Sequence, residues 1–312
     1  MPKPLVAVFL AHPDPGMPQL TPELWRRLPE QAPELEWRAV TTEKDFLALL
    51  PEAGVAVTWY FQPEWTGMAK NLRLLATPAA GRESIQPTPN PTFAVLHGSF
   101  HGEIIAETVV GLILAQVRGI RLALQNPDPW PRAAVTAAAR PLRGSRVMLL
   151  GFGHIGKWSG RLLKPFGVDL VGVNRRDMSR PDYFTATDQV LPLSQFRNAL
   201  PQINHLVLAL PGTSGTDALI GHKELALLAP GSYVYNVGRG NAIVEADLAE
   251  ALRLGNLAGA GLDVFAEEPL AVDSPLRQAP NVILLPHSSA MAPNYLPLFF
   301  QEFLAGVAEL EW

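Results

Sequence analysis

Val147-Met148-Leu149-Leu150-Gly151-Phe152-Gly153-His154-Ile155-Gly156 is the stretch that decides the fold. An apolar run ends on three glycines spaced G-x-G-x-x-G, and an amphipathic pattern begins at Ile155. The order has a chemical reason. The first glycine makes a tight turn, the second lets the backbone approach a pyrophosphate, and the third lets the following helix pack on the strand. The helix start then offers N–H donors to the phosphates. Strand, turn and helix together predict a dinucleotide site at Gly151, Phe152, Gly153, His154, Ile155 and Gly156.

One strand further on, Leu170-Val171-Gly172-Val173 ends in Asn174-Arg175-Arg176. A site selective for NAD usually places Asp or Glu there to hold the ribose 2′-hydroxyl. Here no carboxylate stands at that end until Asp177. Two guanidinium groups suit a 2′-phosphate, which a carboxylate would repel. Asn174, Arg175 and Arg176 therefore predict NADP as the preferred cofactor, with NAD as the alternative.

Beyond this strand the apolar runs continue at Leu206 to Leu210, Ser232 to Asn236, Gly259 to Asp263 and Val282 to Leu285, separated by helical patterns. Such alternation implies a parallel sheet with helices on both faces. Upstream, apolar residues recur every three or four positions at Ile105, Val109, Leu112, Ile113, Val117 and Ile120, which predicts one long helix from about Gly102 to Leu124. The first hundred residues read as a smaller α/β unit, with strands at Leu5 to Leu10, Val55 to Tyr60, Leu72 to Ala76 and Thr92 to Leu96. A final helix is expected near Leu296 to Leu310.

The bulk numbers set limits. A chain of 312 residues accommodates two domains. With 48% hydrophobic and 17% charged residues it is globular. A net charge of -4 argues against a nucleic-acid or anionic-membrane surface. With no cysteine, disulfides, thiolate catalysis and Cys-ligated metal are excluded. The N-terminal apolar run is only about seven residues and is closed by Asp14 and prolines, so it reads as a buried strand and not a signal peptide. No apolar run approaches the ~20 residues of a membrane span. The expected location is cytoplasmic.

Three residues carry the candidate chemistry. Arg239 lies in Asn236-Val237-Gly238-Arg239-Gly240, Glu268 in Leu262-Asp263-Val264-Phe265-Ala266-Glu267-Glu268-Pro269, and His287 in Leu285-Pro286-His287-Ser288-Ser289. Each follows the carboxyl end of a predicted strand, where ligands bind in open α/β sheets. Reducing a 2-oxo acid needs a cation for its carboxylate and carbonyl, a proton donor beside that carbonyl, and a carboxylate to orient the donor. Arg, His and Glu are those three groups, and a His–Glu pair favours the imidazolium. Taken singly, each is an ordinary loop residue; the case rests on the set.

In these segments the chain resembles the D-isomer-specific 2-hydroxyacid dehydrogenases. It carries their glycine-rich turn, a proline-threonine segment (Leu210-Pro211-Gly212-Thr213-Ser214-Gly215-Thr216), the Asn-Val-Gly-Arg-Gly strand end, the Leu-Asp-Val-Phe…Glu-Pro segment and a Pro-His. The resemblance covers nearly all of residues 104–290 and points to the glyoxylate/hydroxypyruvate reductase branch. It implies that Arg239 binds and polarises the substrate, that His287 is the acid/base and that Glu268 is its partner. It adds Leu210, Pro211, Thr216, Val237, Gly238 and Asp263 to the cofactor site, with Asp263 at the nicotinamide end. It also implies two Rossmann-like doubly wound domains with parallel sheets. A cofactor domain (100–290) would be inserted into a smaller substrate domain (1–99 plus 291–312), the active site would lie in the cleft, and the helix over 102–124 would be the main element of a homodimer. The similar formate dehydrogenases place Gln where Glu268 stands, so a small 2-oxo or 2-hydroxy acid is favoured over formate.

The family's Gly-Ala-Gly-Val-Asp loop, whose backbone N–H groups hold the substrate carboxylate, appears here as Ala79-Ala80-Gly81-Arg82-Glu83. Ala79, Ala80 and Gly81 are thus the expected substrate loop, with Arg239 and His287 completing the site and Trp59 and Tyr60 as candidate walls. The remaining histidines show no recurring ligand spacing, so no metal is expected. A dinucleotide-sensing binding protein of the corepressor type shares the fold and the trio. Against it, the sequence has no extended disordered tail for recruiting partners.

Overall fold

The computed structural model describes residues 3–176 and 178–310. The chain divides into two compact units, one of residues 1–101 and 291–312, the other of residues 102–290.

The first unit opens with β1 (Leu5–Phe9), α1 (Pro22–Gln31), β2 (Glu36–Ala39), α2 (Glu43–Leu49), β3 (Ala53–Thr58), β4 (Leu74–Thr77) and β5 (Ala94–His97). Its helix starts are fixed by side-chain caps. Thr21 accepts the Leu24 N–H at 3.2 Å with Pro22 in the first turn, and Thr42 accepts the Asp45 N–H at 3.1 Å. The strands form one parallel sheet in the order β2-β1-β3-β4-β5. β1, β3 and β4 are almost wholly buried, as strands covered on both faces must be. On one face Phe46, Phe61, Trp65, Leu75 and Phe93 pack into a single core.

The second unit contains α3 (His101–Val117, whose first residue belongs to the first unit), α4 (Ile120–Gln125), α5 (Arg132–Ala138), β6 (Arg146–Leu150), α6 (His154–Leu163), β7 (Asp169–Asn174), β8 (Gln189–Pro192), α7 (Phe196–Ala199), β9 (His205–Leu208), α8 (His222–Leu227), β10 (Ser232–Asn236), α9 (Glu245–Arg253), β11 (Leu257–Leu262), α10 (Pro275–Gln278) and β12 (Val282–Leu284). All seven strands run parallel, in the order β12-β11-β10-β9-β6-β7-β8. The strand order reverses between β6 and β9, which makes their carboxyl ends the natural ligand crevice. The last helix, α11 (Tyr295–Ala308), returns to the first unit. Its Tyr295 ring lies 6.0 Å from that of Trp59.

The sequence pattern differs from this structure in three places. The helix expected over 102–124 is two helices, because Gly119 adopts a left-handed φ of 70° between α3 and α4. The buried residues of α3 (Ile105, Val109, Leu112, Ile113, Val117) pack as the spacing implies, into their own unit's core with Val147, Leu149 and Leu170. The strands β2 and β8 were absent from the sequence reading. Both are edge strands without a buried run, and hydrophobic periodicity does not see them.

Candidate active site

The glycine turn leaves β6 at the point where the strand order reverses. Gly151 has φ 101°, and a Cβ there would sit 2.4 Å from the Ala209 carbonyl oxygen. A Cβ on Gly156 would meet the Gly151 carbonyl oxygen at 2.5 Å. These two positions have room for hydrogen only. A Cβ on Gly153, the residue capping α6, would meet no protein atom within 4 Å. The space before the helix start is therefore open, and it lies where aligned peptide dipoles favour an anion. Phe152 is fully buried and its N–H donates to the Val173 carbonyl at 2.8 Å, locking the turn to β7. His154 and Ile155 begin the helix. These residues fit a pyrophosphate.

Asn174 closes the same corner. Its amide donates to the Phe152 carbonyl at 3.0 Å and its side-chain oxygen accepts the Arg175 N–H at 2.7 Å. It works first as a staple between β7 and the glycine turn. Arg175 and Arg176 follow it and are exposed. Asp177 lies outside the described residues. On the other side of the crevice, Thr216 donates to the Pro211 carbonyl at 2.7 Å and shapes the loop after Leu210. Val237 donates its N–H to Leu208, and a Cβ on Gly238 would stand 2.5 Å from the Leu210 nitrogen. Leu210, Pro211, Thr216, Val237 and Gly238 are thereby drawn together at the carboxyl ends of β9 and β10.

Arg239, Glu268 and His287 leave the carboxyl ends of three neighbouring strands, β10, β11 and β12, whose register aligns Asn236 with Leu262 and Leu262 with Leu284. The Asn236 side chain is buried and folds the first loop. It donates to the Arg239 carbonyl at 3.0 Å and accepts the Gly238 N–H at 3.1 Å. Gly240 must lack a side chain, because a Cβ there would lie 1.8 Å from the Phe265 carbonyl carbon. That close approach sets the loop carrying Arg239 directly against the loop carrying Glu268. The Glu268 carboxylate accepts the Phe265 N–H at 3.0 Å through Oε1, and its Oε2 stands 2.8 Å from His287 Nδ1. With Glu268 ionised, the imidazole donates from Nδ1, so Nε2 is the nitrogen left for other work. Both side chains of the pair are partly open to solvent. His287 has φ 52°, an uncommon value for a residue with a side chain. Asp263 lies beneath the pair, 2% exposed, accepting the Ser288 N–H at 2.8 Å and the Ser289 N–H at 3.0 Å.

Asn236, Ser288, Ser289 and Glu245, which accepts the Ala266 N–H at 2.7 Å, are the supporting residues that the sequence reading missed. Only Asn236 had a signal, since Asn just past a strand commonly folds the chain back on its own side chain.

The expected substrate loop belongs to the first unit. Ala79, Ala80 and Gly81 follow the carboxyl end of β4, and Ala79 donates its N–H to Thr77 Oγ1 at 3.3 Å. His97, at the end of β5, is held against this loop, and burial together with nearby Arg82 lowers its pKa. Trp59 is buried with its indole N–H on the Leu10 carbonyl at 3.1 Å, and Tyr60 donates to Glu43 at 2.9 Å. Both aromatic residues thus have structural duties in that unit.

A cavity of about 450 Å³ opens beside α6, lined by His154, Lys157, Trp158, Arg161 and Tyr183 among others. Arg161 there pairs with Asp182 at 2.9 Å and stacks 5.2 Å from the Tyr183 ring centre. Arg239, Glu268 and His287 do not line it. Among the described residues no group of three His, Asp or Glu is placed to hold a metal ion, and no helix is long and apolar enough to cross a membrane.

Residues 110–289 match the model of the D-isomer specific 2-hydroxyacid dehydrogenase, NAD binding domain. Over 192 residues the chain is 49% identical to glyoxylate/hydroxypyruvate reductase B of Pectobacterium carotovorum, a match covering 59% of this chain and 58% of that protein. The aligned part is thus less than two thirds of that relative. A D-isomer specific 2-hydroxyacid dehydrogenase family protein from Aeromonas salmonicida superposes with a TM-score of 0.78 at 26% identity, covering 99% of this chain and 97% of that one. A D-isomer specific 2-hydroxyacid dehydrogenase from Xanthobacter autotrophicus, solved in complex with NADPH and MES, superposes with a TM-score of 0.74 at 26% identity over 96% of this chain and 95% of that one.

Proposed function

The chain belongs to the D-isomer-specific 2-hydroxyacid dehydrogenases, and from that premise we propose that it interconverts a small 2-oxo acid and its D-2-hydroxy acid with NADP(H), in the manner of a glyoxylate/hydroxypyruvate reductase. The observation that carries the reading is the 2.8 Å pair of His287 and Glu268, which follow β12 and β11, the two strands in line beside β10 and its Arg239 loop.

The roles follow from the chemistry of the groups. The Arg239 guanidinium binds the substrate carboxylate and draws charge from the carbonyl oxygen. Glu268 fixes the imidazole through Nδ1, so the Nε2 proton of the protonated ring is the one delivered to the carbonyl oxygen as it becomes a hydroxyl. In the reverse direction Nε2 takes that proton back. The glycine turn, Leu210, Pro211, Thr216, Val237, Gly238 and Asp263 form the cofactor site, and the bound reduced nicotinamide supplies the hydride.

NADPH is favoured because Arg175 and Arg176 stand exposed past the end of β7, where a 2′-phosphate would be met by guanidinium groups. The NADPH complex of the Xanthobacter relative supports the same preference. A homodimer is supported by the surface following Gly119, where Leu124 is 81% and Trp130 78% exposed. The experiment that tests the assignment is a panel of 2-oxo acids against NADPH and NADH, followed at 340 nm. Turnover of short-chain 2-oxo acids, with NADPH preferred, is the expected outcome. Turnover of formate alone would overturn it.

A further inference from the structure

His287 holds a backbone conformation that side-chain-bearing residues rarely adopt, and something must keep it there. At φ 52° the backbone is strained, and such residues persist only where their surroundings over-determine them. Most of the restraints on this turn come from one residue. The Asp263 carbonyl accepts the His287 N–H at 2.8 Å, Asp263 Oδ1 accepts the Ser288 N–H at 2.8 Å, and Oδ2 accepts the Ser289 N–H at 3.0 Å. Three successive N–H groups thus converge on a single aspartate that is 2% exposed. Its own N–H donates to the Asn236 carbonyl at 2.9 Å, so the aspartate is anchored to β10. The far end of the turn is fastened too, by Thr108 Oγ1 donating to the Ser289 carbonyl at 3.2 Å.

We infer that Asp263 is a positioning residue for the acid/base: its buried carboxylate, by taking the Ser288 and Ser289 N–H groups, holds the left-handed turn that sets His287 Nδ1 on Glu268. The inference rests on the roles of His287 and Glu268 proposed above. It gives Asp263 a task beyond the cofactor contact expected from the family resemblance. A carboxylate suits this task because two ionised oxygens accept two N–H groups at once, and charge-assisted bonds are the strong ones. An amide in its place has one oxygen. Its NH₂ would face an N–H, leaving one of the two turn donors without an acceptor.

The test is Asp263→Asn in the full-length protein, read in two ways. In the unmodified protein the proton between His287 Nδ1 and Glu268 should give a downfield NMR resonance, assigned by its loss in His287→Gln. In Asp263→Asn that resonance should vanish, and kcat at saturating NADPH should fall about a hundredfold, the scale of general acid–base effects. Retention of the resonance with a large loss of NADPH affinity would overturn the proposal and make Asp263 a cofactor ligand alone. The resonance needs no turnover, so this result is separable from a failure of the proposed reaction. Should Asp263→Asn not fold, hydrogen exchange in the unmodified protein decides the matter. The Ser288 and Ser289 amides should be protected like those of the central strands, and exchange at open-loop rates would refute the brace.

Discussion

At the residue scale the account turns on a pair and an anchor. His287→Gln keeps a polar side chain of similar reach but cannot deliver a proton near neutral pH. It should lower kcat by about a hundredfold or more, and NADPH binding by fluorescence titration should be nearly unaltered. Survival of turnover within a few-fold would remove His287 from the chemistry. Arg239→Lys keeps the charge and loses the planar fork. Its kcat/KM for the best 2-oxo acid should drop by roughly tenfold to a hundredfold, the scale of one charge-assisted bond, and a near-normal value would sink the anchoring role. Cofactor choice belongs here as well. Asn174 is already engaged with Phe152 and Arg175, so discrimination should fall to the guanidinium groups of Arg175 and Arg176. Exchanging Asn174→Asp together with Arg175→Ala should move the NADPH-to-NADH ratio of kcat/KM toward NADH by about tenfold or more; an unchanged ratio would show that the arginines serve only solvent. Legibility at this scale was uneven. Arg239, Glu268 and His287 stand out as candidates because each follows an apolar strand with a glycine or proline beside it. The braces could not. Nothing in Asp263-Val264-Phe265 or His287-Ser288-Ser289 reveals that one side chain catches the backbone of a segment more than twenty positions away, since local sequence does not encode pairing across strands.

At the element scale, the central strands were readable because parallel strands buried on both faces are continuous apolar runs. Ser232–Asn236 was read to the residue. The edge strands Glu36–Ala39 and Gln189–Pro192 lack that signature and leave no mark in the pattern, whereas the edge strands Ala94–His97 and Val282–Leu284 keep a short apolar run and do. Gly119 defeated the helix reading for a related reason. The apolar spacing carries through Ile120, yet the chain turns at a left-handed glycine and the residues after it face outward. The glycine turn after β6 is the element on which the cofactor site depends. Gly151→Ala would bring a methyl to 2.4 Å from the Ala209 oxygen at a φ of 101°. The variant should weaken NADPH binding by more than about tenfold and lower Tm, because the turn must move away from the crevice to relieve the contact. Wild-type affinity in this variant, measured by fluorescence titration, would mean that the turn does not hold the cofactor.

At the scale of the whole molecule, acid should loosen the second unit through a group far from the chemistry. His205 is 2% exposed on β9, stacked at 5.2 Å on Tyr233, and burial pushes its pKa from 6.5 down to about 4. Above pH 6.5 the ring is neutral in folded and unfolded chains alike. Between pH 6.5 and about 4 only the unfolded chain takes up the proton, so stability falls with pH, by on the order of 3 kcal/mol across that window. His205→Phe should flatten the acid limb of a Tm-against-pH curve over that range, and an unchanged limb would refute the assignment. The chain as a whole is read as a reductase of short 2-oxo acids. The most direct test is to supply NADPH and hydroxypyruvate or glyoxylate, follow absorbance at 340 nm, and resolve the glycerate formed from hydroxypyruvate by chiral chromatography. The account predicts saturable NADPH consumption that is abolished in His287→Gln, with D-glycerate as the sole isomer. Absence of consumption with either acid, or formation of the L isomer, would contradict it.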